Sequence, residues 1–385
     1  MPKNPSRKRP RRRRRRLIAI GAFALLVPVI ASYTTFMLKP SSLPLGVRTV
    51  EWIRQNHGNW VVDQIEHVWY SLHAPEKGGP QLKNLPAVGL APAPVPSQSP
   101  NQSAPWPPPI EPVFPHPLPG EGIWRRTGPP VDGAPPVLLT TFRSEVAYPQ
   151  IVAYVSWFDQ SRTDLAWYPG RYEPPNAPVR GPMMVPNDQR SRLLATFNGA
   201  FTYAAGLNGS SVNGRTCEPL RDGLATLIGY RDGRLDITAW TGGPNAGPEV
   251  AFARQSLRLI INNGQLNPAL NTSDAWGYTL GGAVRVWRTG VGIDARGNLI
   301  YAAANDQTVI TLARILRRAG AIRAMQFDIN PEWPSLITYS HRGGLGVTKV
   351  LPNYQQPATR YLVPDDRDFF AVYERVAGPI SVPFA

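Results

Sequence analysis

Apolar positions recur along this chain with two different periods. In 45–72, "LGVRTVEWIRQNHGNWVVDQIEHVWYSL", Val61, Val62, Ile65, Val68, Trp69 and Leu72 fall at helical spacing, and Gly58 predicts a break between two short helices. Beyond residue 121 the runs become short, apolar and rich in β-branched or aromatic residues. "PQIVAYVSWF" (149–158) predicts a strand. "GLATLIGYRDGRLDITAW" (223–240) predicts a hairpin turning at "RDGR", and "VGIDARGNLIYAAA" (291–304) a second one turning at "ARGN". "LRLIINNGQL" (257–266) reads as a strand entering an Asn-Gly turn. The helical period returns once, in "TVITLARILRRAGA" (308–321), where Ile310, Ala313, Ile315, Leu316 and Ala319 share a face. Arg317 and Arg318 suit the dipole in its last turn, and Gly320 is placed to cap it. The strand "IRAMQFD" follows at once. Many strands, with one long helix between two of them, predict a mixed α/β (α+β) architecture. It is a strand-rich single domain over 121–385 with the helix packed on its sheet.

The N-terminal third has a different pattern. Residues 17–38, "LIAIGAFALLVPVIASYTTFML", carry no charge, and a helix of that length spans about 30 Å of hydrocarbon. This predicts a transmembrane helix. Residues 1–16 form a basic tail, and the positive-inside rule places it in the cytoplasm. The protein is then a single-pass protein of the cell membrane, with its C-terminal domain extracytoplasmic. The competing reading is a cleaved signal peptide ending near "VIA". Residues 45–73 form a juxtamembrane helical segment. Residues 74–120, with "APAPVPSQSPNQSAPWPPPIEPVFPHPLPG", read as an extended proline-rich linker holding the domain off the membrane.

Composition changes this picture at three points. The net charge of +15 invites a nucleic-acid reading, but ten of the Lys and Arg lie in residues 1–16, next to the apolar run. The charge is a topology signal, and no nucleic-acid partner is expected. There is one cysteine, Cys217, so no internal disulfide can form. It lies in "GRTCEPL" with no histidine nearby, which is the setting of a passive thiol. No His or Cys cluster has ligand spacing. No cofactor is implied, and a divalent cation cannot be read from the sequence.

Candidate chemistry gathers where strands end. In "AMQFDINPEW" (324–333) an apolar strand runs into Asp328, with Asn330 and Glu332 close behind and Pro331 stiffening the backbone. Asp328 and Glu332 are the candidate acid–base pair. An Asp capping its own turn would leave the same signature. "VRVWRTGVGID" (284–294) offers Arg285, Arg288, Thr289 and Asp294, with guanidinium groups suited to phosphate or carboxylate. "LATFNGAF" (194–201) breaks into Asn198-Gly199, an amide able to orient a sugar and a glycine that admits close approach. Trp276, Tyr278, Trp287 and Trp333 lie near these motifs and suit either sugar stacking or core packing.

Taken in order, "LATFNGAF", "RTGVGID", a helix ending in glycine and "AMQFDINPEW" resemble the phosphodiester glycosidase domain family, over roughly residues 190–345. Asn198 and Gly199 match its Asn-Gly motif. Arg288, Thr289, Gly292 and Asp294 match its Arg-Thr-x-x-Gly-x-Asp motif. Asp328 matches the first residue of its late Asp-Gly-Gly-Gly-Ser motif, but Ile329, Asn330, Pro331 and Glu332 stand where glycines are usual. That "DINP" form is similar to a bacterial branch of the family. The resemblance implies cleavage of sugar-1-phosphodiester linkages in envelope glycans or exopolysaccharide. Arg288, with Arg285, would hold the phosphate. Asn198 would orient the substrate, Gly199, Thr289, Asp294 and Asn330 would complete the substrate-binding set, and Asp328 and Glu332 would do the chemistry. The alternative is a non-catalytic module binding a phosphorylated or anionic cell-surface glycan in the same pocket.

Overall fold

The structure is a computed structural model. It describes residues 9–88 and 106–376, apart from 129, 207, 272–275, 278–284 and 353–356. The chain falls into two compact units, Met1–Val62 and Asp63–Ala385.

The first unit is helical. Helix α1, Arg9–Leu38, runs through the arginine tract and the apolar run alike, with Pro28 inside it. Helix α2, Leu45–Gln55, folds back on its end. Arg48 of α2 donates to the carbonyls of Phe36 and Lys39, both at 2.8 Å, answering carbonyls that a helix end leaves open. Tyr33 meets Trp52 edge to face at 5.2 Å. The break expected at Gly58 is present, and helix α3, Asn59–Leu72, begins in this unit and continues into the second. Among the described residues no helix is long and apolar enough to cross a membrane. Residues 1–8 of the basic tail lie outside what is described, as do several side chains of the expected span.

The second unit is built from eighteen strands among the described residues. In chain order they are β1 Arg125–Arg126, β2 Val137–Arg143, β3 Val152–Phe158, β4 Thr163–Tyr168, β5 Leu193–Asn198 and β6 Ser210–Val212. Then come β7 Arg215–Glu218, β8 Ala225–Tyr230, β9 Leu235–Ala239, β10 Val250–Gln255, β11 Leu259–Asn262 and β12 Gln265–Leu266. The last are β13 Val286–Ile293, β14 Leu299–Gln307, β15 Arg323–Gln326, β16 Leu336–Ser340, β17 Gly346–Lys349 and β18 Phe369–Glu374. They form three sheets, in the orders β1-β2-β3-β14-β13-β15-β11-β12, β7-β6-β10-β8-β9 and β17-β16-β5-β18-β4. Every pairing is antiparallel.

The largest core lies between the sheets. Val291, Ile293, Met325 and Phe327 of the eight-stranded sheet meet Phe197, Phe369 and Phe370 of one five-stranded sheet and Leu227, Ile237 and Phe252 of the other. The other face of the large sheet is covered by helix α4, Val309–Arg318, which Thr308 caps through a reciprocal bond pair with Thr311. Alternation along β13 sends Val291 and Ile293 to the inter-sheet core and Gly290 and Gly292 under α4. A Cβ at Gly292 would stand 2.6 Å from the Ala321 Cβ, so glycine is what lets the end of the helix sit against this strand. The α+β class is therefore as the pattern predicts, with the hairpins at 225–239 and 286–307 in place.

The proline-rich stretch departs from its expectation. It is not a free spacer at its described ends. Val88 is in the core with Leu82 and Leu85 against it, Ile110 is 1% exposed, and Pro108 accepts a bond from the Trp124 indole at 2.9 Å. Prolines forbid helix and sheet ladders, yet the apolar residues between them still bury. The middle of the segment, 89–105, lies outside the described residues.

Candidate functional site

Three strand ends converge at one end of the inter-sheet core: β5 at Asn198, β15 just before Asp328, and the approach to β18 at Arg367 and Asp368. Asn198, Thr289 and Asp328 are brought together and bonded in series. The Asn198 Nδ2 donates to the Thr289 Oγ1 at 3.1 Å, and that hydroxyl donates to the Asp328 carbonyl at 3.0 Å. The Thr289 amide donates to the same carbonyl at 3.1 Å.

Asp328 is 4% exposed. Its Oδ1 accepts the amide of Asn330 at 2.9 Å, and the Asn330 Oδ1 accepts the amide of Glu332 at 3.1 Å. The "DINPE" stretch is thus two Asx turns in succession, each side chain satisfying a backbone amide two residues on. The turn-cap reading is correct for half of the Asp328 carboxylate. The other half faces Arg367, whose Nη2 donates to Oδ2 at 2.8 Å and to the Ala200 carbonyl at 3.3 Å. Arg367 also lies 4.4 Å over the Trp333 ring. Burial pushes the Asp328 carboxyl above the usual carboxylate range, against the pull of Arg367.

Glu332 is placed differently. It is half-buried, its Oε2 has no hydrogen-bond partner among the described residues, and burial raises its pKa. A carboxyl with a desolvated, uncommitted oxygen takes up a proton more readily than one in water.

The other expected site residues have different work. Asn198 spends its whole side chain inside the protein. Nδ2 donates to the Gly199 carbonyl and Thr289, and Oδ1 accepts from the Tyr301 hydroxyl and the Ser335 amide. That fills two donors and two acceptor positions, so Asn198 ties strands together rather than orienting a sugar. Gly199 has no room for a side chain because the Asp368 carboxylate and carbonyl lie against it. Arg288 is 3% exposed, with Nε bound to the Gln307 carbonyl at 2.9 Å and Nη1 to the Gln326 Oε1 at 2.8 Å, and burial pushes its pKa down to about 10.

Arg285 does not join the cluster. It forms a two-pronged ion pair with Glu145 at 2.8 and 2.9 Å and stacks 3.9 Å from the Tyr148 ring centroid. Asp294 lies past the opposite end of β13, about 17 Å along the strand from Thr289 at 3.4 Å per residue. It caps its own turn through the amides of Arg296 and Asn298. Trp276, Trp287 and Trp333 are at most 6% exposed and pack in the interior, and Tyr278 lies outside the described residues. Cys217 is buried, and burial pushes its thiol up to about 11, as a passive cysteine requires. No group of three or more His, Cys, Asp or Glu is arranged to hold a metal ion among the described residues.

Sequence reading missed the other half of the cluster. Arg254 is fully buried, with its Nε 2.8 Å from the Asp368 Oδ2 and its Nη2 2.7 Å from the Phe201 carbonyl. The Trp167 indole adds a third bond to Asp368 at 2.9 Å. Glu173 accepts the Tyr203 amide at 3.2 Å, and burial raises its pKa within reach of Arg367 and Arg254. The signal was present in "PDDRDFF" (364–370), which, like "FDINPE", places acids beside an apolar strand.

No protein-family model and no curated protein matches the chain. Among solved structures, it is similar to the zebrafish N-acetylglucosamine-1-phosphodiester alpha-N-acetylglucosaminidase catalytic domain, auto-inhibited by its pro-peptide. The TM-score is 0.43 at 14% identity, covering 65% of this chain and 87% of that one. It is also similar to a hypothetical protein from Synechocystis, with TM-score 0.38 and 10% identity over 64% of each chain. At this level of similarity neither neighbour says what this chain acts on.

Proposed function

We propose that the Asp328 cluster is the reaction site of an extracytoplasmic hydrolase acting on sugar-1-phosphodiester linkages of envelope glycans, anchored through residues 17–38. The observation that carries the reading is the presence of two differently bonded carboxyls in one short segment, 328–332. Asp328 is pinned by Arg367 and the Asn330 amide. Glu332, four residues on, keeps a buried oxygen uncommitted and holds its proton more tightly than usual. Acid–base cleavage of a glycosidic bond needs one carboxyl that is held in place and one that can deliver a proton, and the difference in hydrogen bonding suits Asp328 to the first role and Glu332 to the second.

Glu332 is the general acid that protonates the departing oxygen. Asp328 stays fixed and stabilises positive charge at the sugar carbon or activates water. Arg288 and Arg367 supply the positive field for the phosphodiester, and Arg367 holds Asp328 in place. The order of the Asn-Gly, Arg-Thr-x-x-Gly-x-Asp and Asp motifs supports the same substrate class.

One observation favours the second reading, a binding module without turnover: Asn198 and Thr289 are bonded wholly within the protein. Replacing Asp328 with Asn separates the two. A hydrolase loses roughly a hundredfold or more in turnover of N-acetylglucosamine-1-phosphodiesters and keeps its affinity. A binding module shows no turnover before or after the change.

A further inference from the structure

The far end of the same strands carries a second constellation. Turns from all three sheets meet there: 159–162 between β3 and β4, 231–234 between β8 and β9, 294–298 between β13 and β14, and Arg375 just past β18. They border an open recess of about 370 Å3 whose lining includes Trp157, Arg162, Arg234, Arg296, Asn298 and Arg375. At about 3.3 Å per residue, the β18 run from Arg367 to Arg375 places it about 25 Å from the Asp328 cluster.

The recess is built rather than incidental. Asp294 binds the amides of Arg296 and Asn298 with one oxygen, and the Asn298 amide group and the Trp157 indole with the other. The carboxylate that matched a site motif therefore shapes the turn presenting Arg296 and Asn298 here. Arg162 is oriented by Asp159 at 2.6 Å and the Val131 carbonyl at 3.1 Å. Arg375 is oriented by Asp164 at 2.9 Å and the carbonyls of Thr163 and Gly233, both at 3.1 Å. Arg234 is held through Nε by Asp232 at 2.7 Å and lies 4.5 Å over the Tyr230 ring.

In each case part of the fork is left over. Nη2 of Arg162, both terminal nitrogens of Arg234 and Nη1 of Arg375 have no hydrogen-bond partner among the described residues, and Arg296 makes no side-chain hydrogen bond or ion pair there. Carboxylate partners offset the charge of three of the four. What remains is a set of oriented N–H donors plus the charge of Arg296, which is the chemistry that grips an oxyanion. A recess of this size accommodates one hexose with its charged group.

We propose that this recess is a second binding site, taking a saccharide that bears phosphate or carboxylate groups. It does not rest on the hydrolase reading. An anionic glycan held here would lie about 25 Å from the Asp328 cluster and would not cover it.

The test is an equilibrium titration of the full chain at low salt, first with glucose 1-phosphate and then with glucuronate. At least one of them binds saturably, and the difference between them tells whether phosphate or carboxylate is the recognised group. Arg234→Ala/Arg296→Ala, at two exposed turn positions, weakens that binding roughly tenfold or removes one of two sites, the loss expected when charge-assisted hydrogen bonds are deleted. Arg314→Ala/Arg317→Ala, two exposed arginines of α4, leaves it unchanged. The proposal is overturned if neither sugar saturates, if the turn variant binds as well as the original, or if the α4 variant loses as much.

Discussion

Asp294 and Asp328 look alike in sequence, each a carboxylate directly after an apolar strand, but they are satisfied in opposite ways. All four bonds to Asp294 come from neutral groups, three of them within its own turn and one from Trp157. Asp328 takes one amide from its own turn and gives its other oxygen to Arg367, a cation 39 residues away in the chain. The first arrangement is local and shapes a turn. The second joins two sheets and leaves a buried charge dependent on one partner.

The sharpest way to break this contrast is Arg367→Ala. Removing one member of a buried pair leaves the other uncompensated, and the expected loss of stability is about 3–5 kcal/mol. Chemical denaturation measures it. A loss below about 1 kcal/mol, the scale of an exposed pair, would show that Asp328 does not depend on that cation. Asp294→Ala should cost less, about 1–3 kcal/mol, because neutral hydrogen bonds are lost and no ion is stranded. If the two variants come out in the opposite order, the contrast between a local cap and a long-range pair is wrong.

A third strand-end acid extends the comparison. Asp306 sits at φ 54° in the left-handed region, and burial pushes its carboxyl up to about 6. A carboxyl raised in the folded state contributes its full stability below its ordinary value of 3.8 and loses it as pH rises through about 6. Asp306→Asn keeps a residue type that tolerates positive φ and cannot ionise. It should match the original protein at pH 4 and exceed it by about 1–2 kcal/mol at pH 8, read from the denaturation midpoints. Equal midpoints at pH 8 would mean that Asp306 is not desolvated.

What was legible in the sequence follows the same division between local and distant. The two turns "RDGR" and "ARGN", the Asn-Gly turn with Asn263 and Gly264 both at positive φ, and the capped helix after Thr308 are local matters, decided within about ten residues, and each was readable. Asn198 and Asp328 stood out because each ends an apolar run, whereas Thr289, which bonds to both, lies inside β13 and was marked only by the resemblance of its motif. Arg254, Arg367 and Asp368 were not found, because what makes them matter is a partner on another sheet. Asp368 pairs with Arg254, 114 residues away, and no period or turn signal connects them. The assignment of Arg285 to the site failed for the same reason: its partner Glu145 lies 140 residues earlier. The proline-rich segment shows a different limit. Its composition excluded helix and sheet but said nothing of whether Ile110 would find a core.

The central claim is that Glu332, with its uncommitted buried oxygen, donates the proton in a cleavage for which Asp328 is held in place. The most direct measurement is release of N-acetylglucosamine from an N-acetylglucosamine-1-phosphodiester by the full chain and by Glu332→Gln, across pH 4 to 8. The account predicts measurable release by the original protein, falling on the alkaline side as the raised Glu332 carboxyl ionises. It predicts a drop of roughly a hundredfold or more in the variant, with that alkaline limb removed and the denaturation midpoint little changed. Equal release by both proteins with the same pH profile would contradict it.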